Sequence, residues 1–115
     1  MSSGFELYLS EAKRLERILK DPHSLLAEIK RKVQSVLPEA RVYLFGSIAR
    51  GKYTPASDID ILIVLDSLQS IDVDRVKTQI KRSLPGLPLD LHITDKTTFE
   101  KWYKRFIDLA ELLEE

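Results

Sequence analysis

Residues 57–65 read "SDIDILIVL", and no other stretch of the chain restricts the fold as strongly. The five aliphatic residues "ILIVL" at 61–65 have the character of a buried strand bounded by polar sequence. The run is far shorter than the roughly 20 apolar residues a membrane helix requires. Two aspartates stand at its entrance. Side chains alternate along a strand, so Asp58 and Asp60 point one way while Ile59, Ile61 and Ile63 point the other. Two carboxylates crowded on one face repel and raise each other's pKa. A divalent cation removes that difficulty, and Mg²⁺ in particular favours carboxylates, waters and phosphate oxygens. The aspartates could equally be solvated caps at the wet end of a strand, and the pair alone leaves both readings open.

Around this strand the chain reads as one domain of 115 residues, long enough for a hydrophobic core. Phe5, Tyr8, Ala12, Leu15 and Leu19 recur every three or four residues and predict an amphipathic helix over residues 1–20. Asp21 as N-cap and Pro22 at the first helical position open a second helix. Leu25, Leu26, Ile29, Val33, Val36 and Leu37 give its apolar stripe, and Pro38 helps to stop it. "RVYLF" at 41–45 and "DIDILIVL" at 58–65 predict strands, "VDRVKTQIKRSL" at 73–84 a helix, and "LDLHIT" at 89–94 a third strand. Thr97 and Glu100 form a capping-box pattern, which predicts a last helix through "FEKWYKRFIDLAELL". The expected fold is therefore α/β (α+β), a small mixed sheet flanked by helices.

The one long connection, residues 46–57, is where function is expected. Gly46 permits a tight turn or a close approach of backbone to a ligand. Ser47 adds a hydroxyl and an N–H, and backbone amides at such a turn can cradle phosphate. Arg50 supplies a guanidinium fork suited to phosphate oxygens, and Gly51 lets the chain turn away. Gly-Ser pairs are also common in ordinary turns. In "PLDLHI", Leu89, Leu91 and Ile93 share one strand face and leave Asp90 and His92 on the other. If that strand lies beside 58–65, Asp90 joins the first two acids around one or two metal ions. His92 reads as a hydrogen-bonded neighbour of the acid, and His23 receives no role.

Composition narrows the remaining classes. Lys and Arg total 18 and Asp and Glu total 18, so the formal net charge is zero. A domain that grips nucleic acid through its phosphates is usually clearly basic, so strong nucleic-acid binding is not expected. With no cysteine there is no disulfide framework, thiol nucleophile or zinc-thiolate site. The charged N-terminus does not read as a secretory signal, which makes the cytoplasm the expected location, and no membrane partner is expected.

"GSIAR-G" followed by "SDIDILIV" resembles the signature of the DNA polymerase beta-like nucleotidyltransferase superfamily. The elements here are Gly46-Ser47, Arg50-Gly51 and Ser57-Asp58-x-Asp60, with Asp90 as a third acid on a later strand. In length the chain is similar to the minimal nucleotidyltransferases, the resemblance covering about residues 25–95. It implies that Asp58, Asp60 and Asp90 bind Mg²⁺, one or two ions, and that Asp90 is a candidate base for the attacking hydroxyl. Gly46, Ser47 and Arg50 would contact the phosphates of a nucleoside triphosphate, with ATP expected. Many relatives act as antitoxins that attach AMP to a tyrosine of a helical HEPN-domain toxin. The resemblance therefore implies transfer of AMP to a hydroxyl of such a partner. A homodimer or a hetero-oligomer would fit, with Trp102, Tyr103 and Phe106 either anchoring an interface or covering the sheet. Two alternatives accompany it: a binding antitoxin that acts by occlusion, and nucleotidyl transfer to a small molecule.

Overall fold

The computed structural model describes residues 22–46, 58–103 and 111–112. The expected N-terminal helix, the Asp21 cap and the loop 47–57 lie outside the described residues. Helix α1 (Pro22–Val36) begins at its proline, where the missing N–H has no intrahelical partner to lose. Its stripe turns Ile29 and Val33 fully into the interior while Glu28, Arg31 and Lys32 stay exposed. The chain leaves it through Leu37, whose N–H donates to the Val33 carbonyl at 2.8 Å. Gln34 Nε2 then donates to the Ala40 carbonyl at 3.1 Å and ties the helix to the turn before the sheet.

Strand β1 (Arg41–Phe45) runs antiparallel to β2 (Ile59–Leu65), with Leu44 opposite Ile61 and Phe45 opposite Asp60. Strand β3 (Leu89–Asp95) lies parallel to β2 on its other side. Parallel neighbours need a crossover, and α2 (Val73–Ser83) supplies it. Asp72 caps α2 by accepting the Arg75 N–H at 3.2 Å, and Lys81 and Arg82 occupy the last turn, where the helix dipole favours cations. The Ile59 N–H donates to the Pro88 carbonyl at 2.7 Å and aligns the starts of β2 and β3.

The C-terminal segment differs from expectation. Asp95, not Thr97, is the cap: its carboxylate accepts the Thr98 N–H at 2.7 Å. A single helical turn, α3 (Lys96–Thr98), then widens into a π-helical turn over Phe99–Tyr103. Glu111 and Leu112, expected within the last helix opened by the capping box, form the short strand β4 instead and pair antiparallel with Leu44 and Tyr43. The free edge of β1 offers unpaired N–H and C=O groups. Pairing there outweighs local helical preference, and the stacking of Phe99 on Tyr43 at 4.9 Å holds the segment beside β1. Trp102 and Tyr103 belong to the π-helical turn, while Phe106 lies outside the described residues.

The sheet order is β3-β2-β1-β4, a mixed α/β arrangement as expected. One face carries Val42, Leu44, Ile59, Ile61, Ile63, Leu89 and Leu91 into a core shared with Ile29, Val33, Ile80 and Leu84 of the helical layer. Full burial of each such aliphatic side chain contributes about 1.5–3 kcal/mol. Leu62 and Val64 point to the opposite face and are buried too, so β2 is covered on both sides along most of its length. Among its seven residues only Asp60 is not buried. No helix of the described residues is long and apolar enough to cross a membrane.

Candidate active site

The exception in β2 marks the site. Because β2 and β3 are parallel and in register, Asp60 stands directly opposite Asp90, and antiparallel pairing sets Phe45 opposite Asp60 on the other side. Side chains of laterally paired residues share a face. His92, two residues beyond Asp90, returns to that same face. The strands thus present an aromatic ring, two carboxylates and an imidazole together at the open end of a buried sheet.

The two carboxylates strain against each other. Asp60 has its pKa raised, first by removal from water, then by the negative charge of Asp90 and a hydrogen bond shared with that carboxyl. Asp58 adds a smaller push in the same direction, and the nearby His92 opposes it. Asp90 is exposed and is engaged by His92, whose Nε2 stands 3.2 Å from the Asp90 Oδ2. The His92 ring meets Phe45 edge-on, with centroids 5.2 Å apart and planes inclined by 64°. Asp60, Asp90 and His92 each offer one ligand atom, and these atoms lie within 4.8 Å of one another. Asp58, just ahead of β2 and exposed, stands outside that trio but close enough for its charge to be felt at Asp60.

Gly46 completes the described part of the site. It follows β1 with φ +79°, a conformation that side chains other than glycine's rarely adopt. A Cβ built there would collide with the Asp60 Oδ2 and stand 2.9 Å from Asp60 Cγ. The backbone at 46 therefore rests against the carboxylate, and glycine is required by conformation and by space at once. Ser47 and Arg50 lie outside the described residues.

The structure thus brings Asp60, Asp90 and Gly46 together and leaves Asp58 at the rim. It also adds His92 to the cluster, beyond the hydrogen-bonded role the sequence suggested. The available signal was the spacing Asp90-x-His92, which puts both on one face, but spacing cannot show that Asp60 faces the imidazole as well. Two carboxylates and an imidazole on a partly open surface suit a divalent cation. Of the two carboxylates, the exposed Asp90 also suits acceptance of a proton.

The model of the nucleotidyltransferase domain family matches residues 26–113. A Methanocaldococcus jannaschii protein provisionally named a protein adenylyltransferase is 37% identical over 49 residues, 41% of this chain and 50% of its own length. The chain thus spans about half the length of that curated relative. A crystal structure from Sulfolobus solfataricus, provisionally described as a nucleotidyltransferase, superposes with a TM-score of 0.57 at 28% identity, covering 92% of this chain and 85% of its own. A second solved structure with the same provisional description gives a TM-score of 0.58 at 32% identity, covering 76% of this chain and 95% of its own.

Proposed function

Because the chain belongs to the nucleotidyltransferase domain family, we propose that it transfers AMP from ATP to a hydroxyl of a partner protein. The observation that carries this reading is the lateral pairing of Asp60 with Asp90 beneath the Gly46 turn, one acid pair at the open end of an otherwise buried strand. Asp58, Asp60 and Asp90 are the residues that would hold Mg²⁺, one or two ions. Asp60 and Asp90 fit such a role, paired side by side with ligand oxygens inside one 4.8 Å cluster, and Asp58 stands at its rim. The ion would supply charge stabilisation to the phosphoryl oxygens. Gly46, Ser47 and Arg50 seat the triphosphate, the first by backbone approach and the last by its guanidinium fork.

Asp90, exposed and facing Asp60 across the strand pair, takes the acceptor's proton. The acceptor oxygen then attacks the α-phosphorus, the bond to the β-phosphate oxygen breaks, and pyrophosphate leaves with that electron pair. The name of the M. jannaschii relative supports a protein as acceptor, and the minimal-nucleotidyltransferase resemblance supports a helical HEPN-domain protein in particular. Residues 1–20 and the C-terminal segment are the parts of the sequence to which this reading assigns its docking.

The test is ATP labelled at the α-phosphate, incubated with Mg²⁺, this protein and lysate of its source, with Asp58→Asn in parallel. Label on one protein band with the wild type alone supports the reading and identifies the acceptor by mass spectrometry. Equal labelling by Asp58→Asn contradicts it. Neutralisation of a toxic partner by an inert Asp58→Asn protein would instead indicate occlusion.

A further inference from the structure

The acid pair does not face solvent alone. His92 is held from two sides, by the edge of Phe45 at 5.2 Å and by the Asp90 carboxylate at 3.2 Å from its Nε2. The second contact sets that nitrogen beside the acid pair, where Asp60 offers an oxygen within the same 4.8 Å span. Ligand atoms on one cation sit about 2.0–2.2 Å from it, so neighbouring donors lie up to roughly 4 Å apart. Small side-chain rotations therefore bring one nitrogen and two oxygens onto a single ion. The His92 side chain is 37% exposed and the Asp90 side chain 51%, which leaves open positions for water or phosphate oxygens.

Donor type then decides which ion is preferred. Sites built of oxygen alone suit Mg²⁺, whereas an imidazole nitrogen favours first-row transition ions, with affinity rising from Mn²⁺ to Co²⁺. We propose that His92 Nε2 is a direct metal ligand beside Asp60 and Asp90, so that this centre takes Co²⁺ and Mn²⁺ in preference to Mg²⁺. This rests on the nucleotidyltransferase reading for the presence of a divalent ion and departs from it in the ion's identity. In the metal-free protein the hydrogen bond from His92 to Asp90 occupies the place of the nitrogen–metal bond.

The test uses the full chain without nucleotide, titrated calorimetrically with Co²⁺, Mn²⁺ and Mg²⁺ separately. His92→Ala and His92→Gln are carried in parallel, with circular dichroism to verify folding. The Mn²⁺-loaded proteins are also examined by electron spin-echo spectroscopy for modulation from a ligating ¹⁴N. The expected order in the wild type is Co²⁺, then Mn²⁺, then Mg²⁺. His92→Ala should lose at least the roughly 100-fold in Co²⁺ affinity that disturbing a ligand's outer partners can cost, since it removes a ligand itself, and far less for Mg²⁺. The nitrogen modulation should be present in the wild type and absent from both variants, including His92→Gln, which retains polar contact with Asp90. Metal binding with equal affinities in wild type and variants and no nitrogen modulation overturns the inference and leaves the nucleotidyltransferase reading standing. Failure of the wild type to bind any of the three ions overturns the metal component of both.

Discussion

The middle of β2 and its entrance differ by only a few residues and follow opposite physical rules. Ile61, Leu62 and Ile63 are fully buried, and each adds to the core at no electrostatic cost. Asp60 next door is half-buried, pressed against Asp90 and touched by the Gly46 backbone, with a pKa pushed up by desolvation above all. One end of the strand is optimised for cohesion, while the other keeps a like-charged pair that cohesion alone would remove. Poorly matched groups of this kind cluster at functional sites. The contrast says that the strand's stability is supplied at its centre and its chemistry at its mouth.

The sharpest way to break that contrast is through the centre. Ile61→Ala should lower the unfolding free energy by about 2–5 kcal/mol, measured by urea denaturation, through lost transfer energy and the cavity left behind. Transfer activity per folded molecule should change little. A loss below about 1 kcal/mol would mean that β2 is not the structural spine.

Gly46→Ala probes the boundary between the two regimes. The left-handed backbone costs alanine about 1–2 kcal/mol, and the new methyl must also displace the Asp60 carboxylate. Nucleotidyl transfer should therefore fall by a larger factor than stability accounts for. Equal proportional losses would make Gly46 a turn residue without a role at the site. Away from both regions, Asp72→Ala removes the α2 cap and should cost about 1 kcal/mol with transfer unaffected.

The sheet was legible because alternation and periodicity agree with what packing demands. The apolar positions of α1, β1, β2, α2 and β3 are the ones the core uses. The C-terminal segment was not legible for the opposite reason. A helical pattern through Leu112 competed with an unsatisfied edge on β1, and local propensity contains no information about that edge. Likewise Asp95, closing a strand, captured the Thr98 N–H ahead of the Thr97–Glu100 capping box. At the site, the shared face of Asp90 and His92 follows from spacing alone. That Asp60 lies opposite Asp90 depends on a parallel pairing across the α2 crossover, which no local pattern encodes. The blocked space above Gly46 is equally a product of the folded chain.

The most direct measurement is on Asp60→Asn, assayed for two properties at once. A carboxyl whose pKa is raised in the fold favours its protonated form, so that form's contribution to stability is full below the unfolded value of about 3.9 and is lost as pH rises through the folded value. At pH 7 in chelator the ionised Asp60 therefore opposes folding. Asp60→Asn should melt at a higher temperature than the wild type, with the gap closing as pH is lowered toward 4. The same variant should transfer no label from α-labelled ATP. A more stable and inactive protein is the predicted result. A variant that transfers AMP as well as the wild type would contradict the assignment of Asp60 to the chemistry. One that melts lower at neutral pH would show that the carboxylate serves the fold.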